Sequence, residues 1–107
     1  MKVYLGSEIK LNLSIEKIGD IKMRDYDFEV AVFCSPSKVL TIHKGDEGLI
    51  KEQDDSNYVL LIDTESIGIG KVKLQVTAQI PDTDFPDSQR KEIQVVETGI
   101  EIVRSTV

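Results

Sequence analysis

One cysteine, Cys34, occurs in the 107 residues. No disulfide can close within the chain, so its fold must rest on packing rather than covalent staples. Histidine is equally scarce, with His43 alone. A Cys–His nucleophile pair needs both groups within hydrogen-bond reach and a third group to orient the base. His43 lies beside a turn, whereas Cys34 shares the parity of the apolar set Phe28, Val30 and Val32. The expectation is a surface histidine and a buried, inert thiol. Tryptophan is absent, which removes the strongest member of the aromatic platforms that carbohydrate-binding sandwiches present. Cationic clusters are missing too: the net charge is −6, and the longest basic run is Arg90-Lys91. Nucleic acid and anionic membrane surfaces both need a concentrated positive face, so neither is expected as a partner. No run of apolar residues approaches the ~18 that a membrane span requires. Met1–Gly6 is too short for the core of a signal peptide, and Glu8 interrupts it. The expected location is the cytoplasm, or a larger assembly built from it.

What is present is strand pattern. Lys71–Ile80 alternates without a break, with Val72, Leu74, Val76, Ala78 and Ile80 on one side and Lys71, Lys73, Gln75, Thr77 and Gln79 on the other. Successive side chains of an extended chain face opposite ways, so this stretch is a strand with one buried and one wet face. Ser7–Ile15 alternates similarly, and in Arg24–Ser35 Tyr26, Phe28, Val30, Val32 and Cys34 share a face. Shorter strands are predicted at Lys38–Lys44 and at Leu49–Gln53, the latter on an edge. Tyr58–Ile62 is a continuous apolar run, expected to be covered on both sides. Lys91–Val96 is a further strand, punctuated by Gly99, and Ile100 and Ile102 form a last short strand or tail. Arg104–Val107 is expected to fray.

The connections carry turn chemistry. Ile18–Ile21 contains Gly-Asp and breaks the first alternation. Ser35-Pro36-Ser37 ends a strand, because proline cannot donate to a ladder. Gly45 and Gly48 are free to adopt positive φ, and Asp54–Asn57 forms an Asx-type turn. Asp63 and Ser66 are suited to cap one helical turn, with Ile67 plugging the end of the core. Gly68 and Gly70 then turn the chain into the long strand.

Seven to eight short strands, with turn signals roughly every 8–12 residues, indicate one all-β domain over residues 1–107, a two-sheet sandwich. Without a Cys–Trp–Cys framework it is immunoglobulin-like in architecture only. A small barrel is the alternative.

Candidate chemistry concentrates in Pro81–Ser88. Asp82, Asp84 and Asp87 place three carboxylates in six residues. Calcium takes oxygen ligands, but this spacing lacks the glycine and closing glutamate of an EF-hand loop, and aspartate favours turns for its own reasons. Turn chemistry is the preferred reading; no metal site is assigned, these aspartates are its weak candidates, and Asp54, Asp55 and Asn57 receive the same reading with less interest. Phe85, between Asp84 and Pro86, has two readings: a cap over the open end of the sandwich, which is preferred, or an anchor for a partner protein. In the second, Asp84, Phe85 and Pro86 form the contact. Gly68-Ile69-Gly70-Lys71 lacks the spacing, the hydroxyl residue and the following helix of a phosphate loop. Asp25/Asp27 and Asp46/Glu47 are carboxylate pairs expected on a solvated face.

Leu5–Leu13 and the run from Asp63-Thr64 through Ile67-Gly68, Gly70, Val72, Leu74, Val76-Thr77-Ala78, Ile80-Pro81-Asp82 and Asp84–Asp87 resemble small immunoglobulin-like sandwich proteins of gut bacteria, found among prophage- or mobile-element-like genes. They are similar in layout to the N-terminal domains of phage baseplate and tail-fibre proteins. The resemblance implies a docking or assembly role and brings no catalytic residue with it. The resulting expectation is a non-enzymatic structural or protein–protein interaction module without cofactor, binding a protein partner or itself. The alternative is a ligand-binding sandwich for calcium or carbohydrate.

Overall fold

The computed structural model describes residues 1–14, 25–54 and 57–104. Eight strands run in the order β1 (Lys2–Tyr4), β2 (Glu8–Ser14), β3 (Asp27–Ser35), β4 (Lys38–His43), β5 (Ile50–Asp54), β6 (Asn57–Asp63), β7 (Gly70–Pro81) and β8 (Gln89–Val103). They form a five-stranded sheet, β1-β8-β7-β3-β4, and a three-stranded sheet, β2-β6-β5. Lettered as immunoglobulin strands, the smaller sheet is B-E-D and the larger carries G-F-C-C′, with the first strand paired to the last. The protein is an all-β sandwich. The expected turn at Ile18–Ile21, residues Asp55 and Ser56, and Ser105–Val107 lie outside the described residues.

Each alternating segment supplies one face to a shared core. β7 contributes Val72, Leu74, Val76, Ala78 and Ile80, all at most 5% exposed. β3 adds Phe28, Val30 and Val32, and β4 adds Ile42. From the smaller sheet come Leu11, Leu13, Ile50, Tyr58, Leu60 and Ile62. The Phe28 ring meets the Tyr58 ring at 5.1 Å between centroids, in an edge-to-face contact that joins the two sheets. The expected double cover of Tyr58–Ile62 is realised in part: on the outer side Val59 is buried and Leu61 half-buried.

The corner before β7 follows its sequence closely. Asp63 caps a single 3₁₀ turn, Thr64–Ser66, by accepting from the Glu65 N–H, and Ile67 is 1% exposed. Thr64 is fully buried; its hydroxyl donates to Ser7 O at 2.8 Å and accepts from Gly6 N at 2.9 Å. This side chain ties the corner to the β1–β2 turn. Gly70 has φ +134°, and a Cβ there would stand 3.1 Å from Cys34 Cβ, so glycine is required both for conformation and for room.

Two expectations at the chain ends are corrected. Lys2–Tyr4 is a strand that the alternation rule missed, being only three residues long and pairing parallel with Glu101–Val103. Lys91–Val96 and Ile100–Ile102 are not separate strands but parts of one fifteen-residue strand. The punctuation at Gly99 is real but local: Lys71 pairs with Glu101 and Lys73 with Glu97, so β8 bulges between them. Thr98 Oγ1 donates to Val72 O at 2.9 Å there, which holds the bulge onto β7.

The β7–β8 hairpin sets the shape. A fifteen-residue strand spans roughly 50 Å, close to the 54 Å long axis of the molecule. The radius of gyration is 15.0 Å, above the roughly 13 Å expected of a compact chain this long. The excess is the length of the hairpin.

Candidate protein interface

The hairpin tip places the predicted loop residues. β7 continues through Pro81, so the turn itself is Asp82–Ser88. Asp82 N–H donates to Ser88 O at 3.0 Å, and Asp84 N–H donates to Asp82 Oδ1 at 3.0 Å. The other Asp82 oxygen faces Arg90 Nη1 at 3.3 Å, and Arg90 Nη2 reaches Glu92 Oε1 at 3.1 Å. Asp82 thus closes the turn and pairs across its neck, as turn chemistry requires. Asp84 and Asp87 are exposed. Among the described residues, no group of three or more His, Cys, Asp or Glu side chains is arranged to hold a metal ion.

Phe85 is 45% exposed and lies outside the core cluster. The cap expectation is corrected here: the ring is nearly half exposed and is not among the apolar side chains packed against the core. Pro86 beside it is exposed as well. Of the other aromatic residues, Tyr26, Phe28 and Tyr58 are buried in the core, Phe33 is half-buried and Tyr4 stands exposed on β1.

His43 and Cys34 are held apart. His43 pairs with Glu29 across the β3–β4 ladder, its Nε2 3.0 Å from Glu29 Oε2 and its Nδ1 3.6 Å from Asp46 Oδ2. Cys34 lies five residues further along β3, roughly 17 Å away, and on the opposite face. Its thiol donates to Gly68 O at 3.5 Å, and burial raises its pKa. A thiol of raised pKa is a poor nucleophile. The histidine side is an open surface depression lined by Asp27, Glu29, His43, Lys44, Thr77 and Gln79. Asp25, Asp27 and Glu47 are exposed.

The feature that sequence reasoning missed is the free edge of β8. β1 covers that edge only from Glu101 to Val103. From Gln89 to Thr98 the strand is hydrogen-bonded to β7 on one side and, among the described residues, to no strand on the other. Ile93, Val95 and Val96 on this stretch are 57%, 60% and 43% exposed. The two edges of the smaller sheet are blunted, and the β4 edge of the larger sheet is shorter, six residues. β5 carries Lys51, Glu52, Gln53 and Asp54 in succession, and β2 turns Glu8, Lys10 and Asn12 outward. Charged or short edges discourage pairing with another chain; a long edge with an uncharged centre invites it. A signal for this was present in Lys91–Glu97. Its apolar residues fall on both parities, with charges at both ends, so the segment has no single face to bury.

No protein-family model matches the chain, and no curated protein is significantly similar to it.

Proposed function

We propose that this domain is a non-enzymatic structural or protein–protein interaction module, of the kind from which phage-like tail, baseplate or fibre assemblies are built. The observation that supports an interaction role is the open β8 edge, with Ile93, Val95 and Val96 exposed at its centre. An unpaired strand offers a row of backbone donors and acceptors that an extended segment can complete, while side chains on alternate positions supply selectivity. The exposed tip, Asp84-Phe85-Pro86, lies at the end of the same hairpin and extends that surface. The assembly setting is supported by the sequence resemblance. In this reading the sandwich core is scaffold, and the hairpin presents the surface to a partner.

Co-expression with the products of the adjacent genes tests this reading. A stable complex that is lost on placing Pro at Val95, where the strand N–H would otherwise be offered, is the expected result. A chain that remains alone and monomeric under these conditions sinks the proposal.

A further inference from the structure

The free edge of β8 has a defined hydrogen-bonding phase. The bond from Asp82 N–H to Ser88 O makes that rung of the hairpin a hydrogen-bonded pair. Antiparallel rungs alternate, so Pro81–Gln89, Gln79–Lys91, Thr77–Ile93, Gln75–Val95 and Lys73–Glu97 are the intervening, non-bonded rungs. At those positions the β8 backbone points away from β7. The far end agrees: beyond the bulge Glu101 N–H also points outward, donating to Met1 O at 2.9 Å. Lys91, Ile93, Val95 and Glu97 therefore hold their N–H and C=O groups toward the open side, and their side chains share one face of the sheet.

These four residues are self-complementary when read in opposite directions. A two-fold axis through Gln94 sets Ile93 against Val95 and Lys91 against Glu97, each pair occurring twice. Every such rung joins two outward-pointing residues, as a hydrogen-bonded pair requires. Shifting the axis to Ile93 would set Lys91 against Val95, and shifting it to Val95 would set Ile93 against Glu97. Among these outward-pointing residues, only the axis through Gln94 matches charge with charge and aliphatic with aliphatic; on the other face of the sheet it sets Glu92 against Val96. Opposite charges and β-branched neighbours both favour a cross-strand pair, and mismatches lose that gain. Residues 90–97 are also electrically balanced, with Arg90 and Lys91 against Glu92 and Glu97, in a chain of net charge −6. Two copies can meet here without the repulsion that the rest of their surfaces would impose.

We propose that the β8 edge from Lys91 to Glu97 pairs antiparallel with the same edge of a second copy of this chain, about an axis at Gln94. This rests on the interaction-module reading above and names its partner. Two five-stranded sheets then join into one continuous sheet, and the pairing stops where β1 begins to cover β8. The interface is isologous, so it closes as a dimer and does not propagate into fibres.

Sedimentation velocity over a concentration series tests the pairing and its register. The wild-type chain is expected to show a monomer–dimer equilibrium. Lys91→Glu and Glu97→Lys are each expected to weaken association about tenfold or more, because each sets like charges together at two rungs. The double variant K91E/E97K is expected to recover wild-type association. An equimolar mixture of the two single variants is expected to associate more tightly than either does alone. Circular dichroism of each variant verifies the fold, and both positions are exposed. A wild-type chain that stays monomeric throughout overturns the proposal, as does a dimer indifferent to the charge changes. A monomer that nonetheless co-purifies with an adjacent gene product overturns self-pairing while leaving the interaction-module reading standing.

Discussion

β7 and β8 are two strands of one hairpin, paired from Pro81–Gln89 down to Gly70–Ile102, yet they have opposite fates. On the rung that joins Leu74 to Val96 both side chains lie on the same face of the sheet. Leu74 is 3% exposed and Val96 is 43% exposed. The hydrogen bonding is shared, so pairing does not explain the difference. Position in the sheet does: β7 stands between β8 and β3, beneath the smaller sheet, whereas this part of β8 is the margin. A strand can be fully built into a ladder on one side and still be surface. The same sequence chemistry that makes a good core strand makes, one place further out, a strand ready to pair.

The largest expected effect comes from truncating across that rung. Leu74→Ala removes a buried side chain from a packed core and is expected to cost about 2–5 kcal/mol. Val96→Ala, on the neighbouring strand, is expected to cost about 1 kcal/mol or less, within the range of ordinary surface changes. Urea denaturation of both variants measures the gap. Equal costs would show that β8 is buried in solution and would end the contrast.

A smaller effect separates the strands by pH. Tyr26 packs in the core, and its pKa is raised, first by burial and second by the Glu92 carboxylate on the inner face of β8. A group whose folded-state pKa is raised favours the folded state while protonated, and that stability is lost as pH rises through the folded value. Thermal stability is therefore expected to fall above about pH 10, where free tyrosine ionises. Tyr26→Phe should reduce the alkaline loss, and Glu92→Gln should reduce it less. An unchanged alkaline profile in Tyr26→Phe would place the lost proton elsewhere.

The smallest expected effect on stability is at the tip. Phe85→Ala removes a ring that is already 45% exposed, and its cost is expected to be about 0.5 kcal/mol or less. Its effect belongs to partner binding, read in the same co-purification that tests the module as a whole. A loss of several kcal/mol would restore the ring to the core as a cap.

Much of the fold was legible because alternation reports burial directly. The faces of Ser7–Ile15, Arg24–Ser35 and Lys71–Ile80 and the capped turn at Asp63–Ser66 follow from residue types alone, wherever the structure describes them. Two things did not follow. β1 is too short to show a period, and its parallel partner lies nearly a hundred residues away, so no local pattern announces it. The break at Gly99 looked like the end of a strand, because a glycine at φ +78° reads the same whether it ends a strand or bulges one. The candidate site was legible in its weaker half: the tip residues Asp82–Asp87 stood out, whereas the edge residues Ile93, Val95 and Val96 looked like ordinary strand.

By itself, the sequence determined that the chain is all-β, which faces of β2, β3 and β7 are buried, and that no disulfide within the chain holds it. A period of two is a property of the extended backbone, and each residue carries its preference for core or water wherever the strand goes. Only the tertiary structure decided which strand is left unpaired. Side-chain pattern speaks to the two faces of a sheet, while an edge is a matter of backbone groups that every residue carries alike. That Lys91–Glu97 is an open margin with its N–H and C=O groups outward depends on β1 ending its cover at Glu101, and nothing in the segment itself records where a neighbouring strand stops.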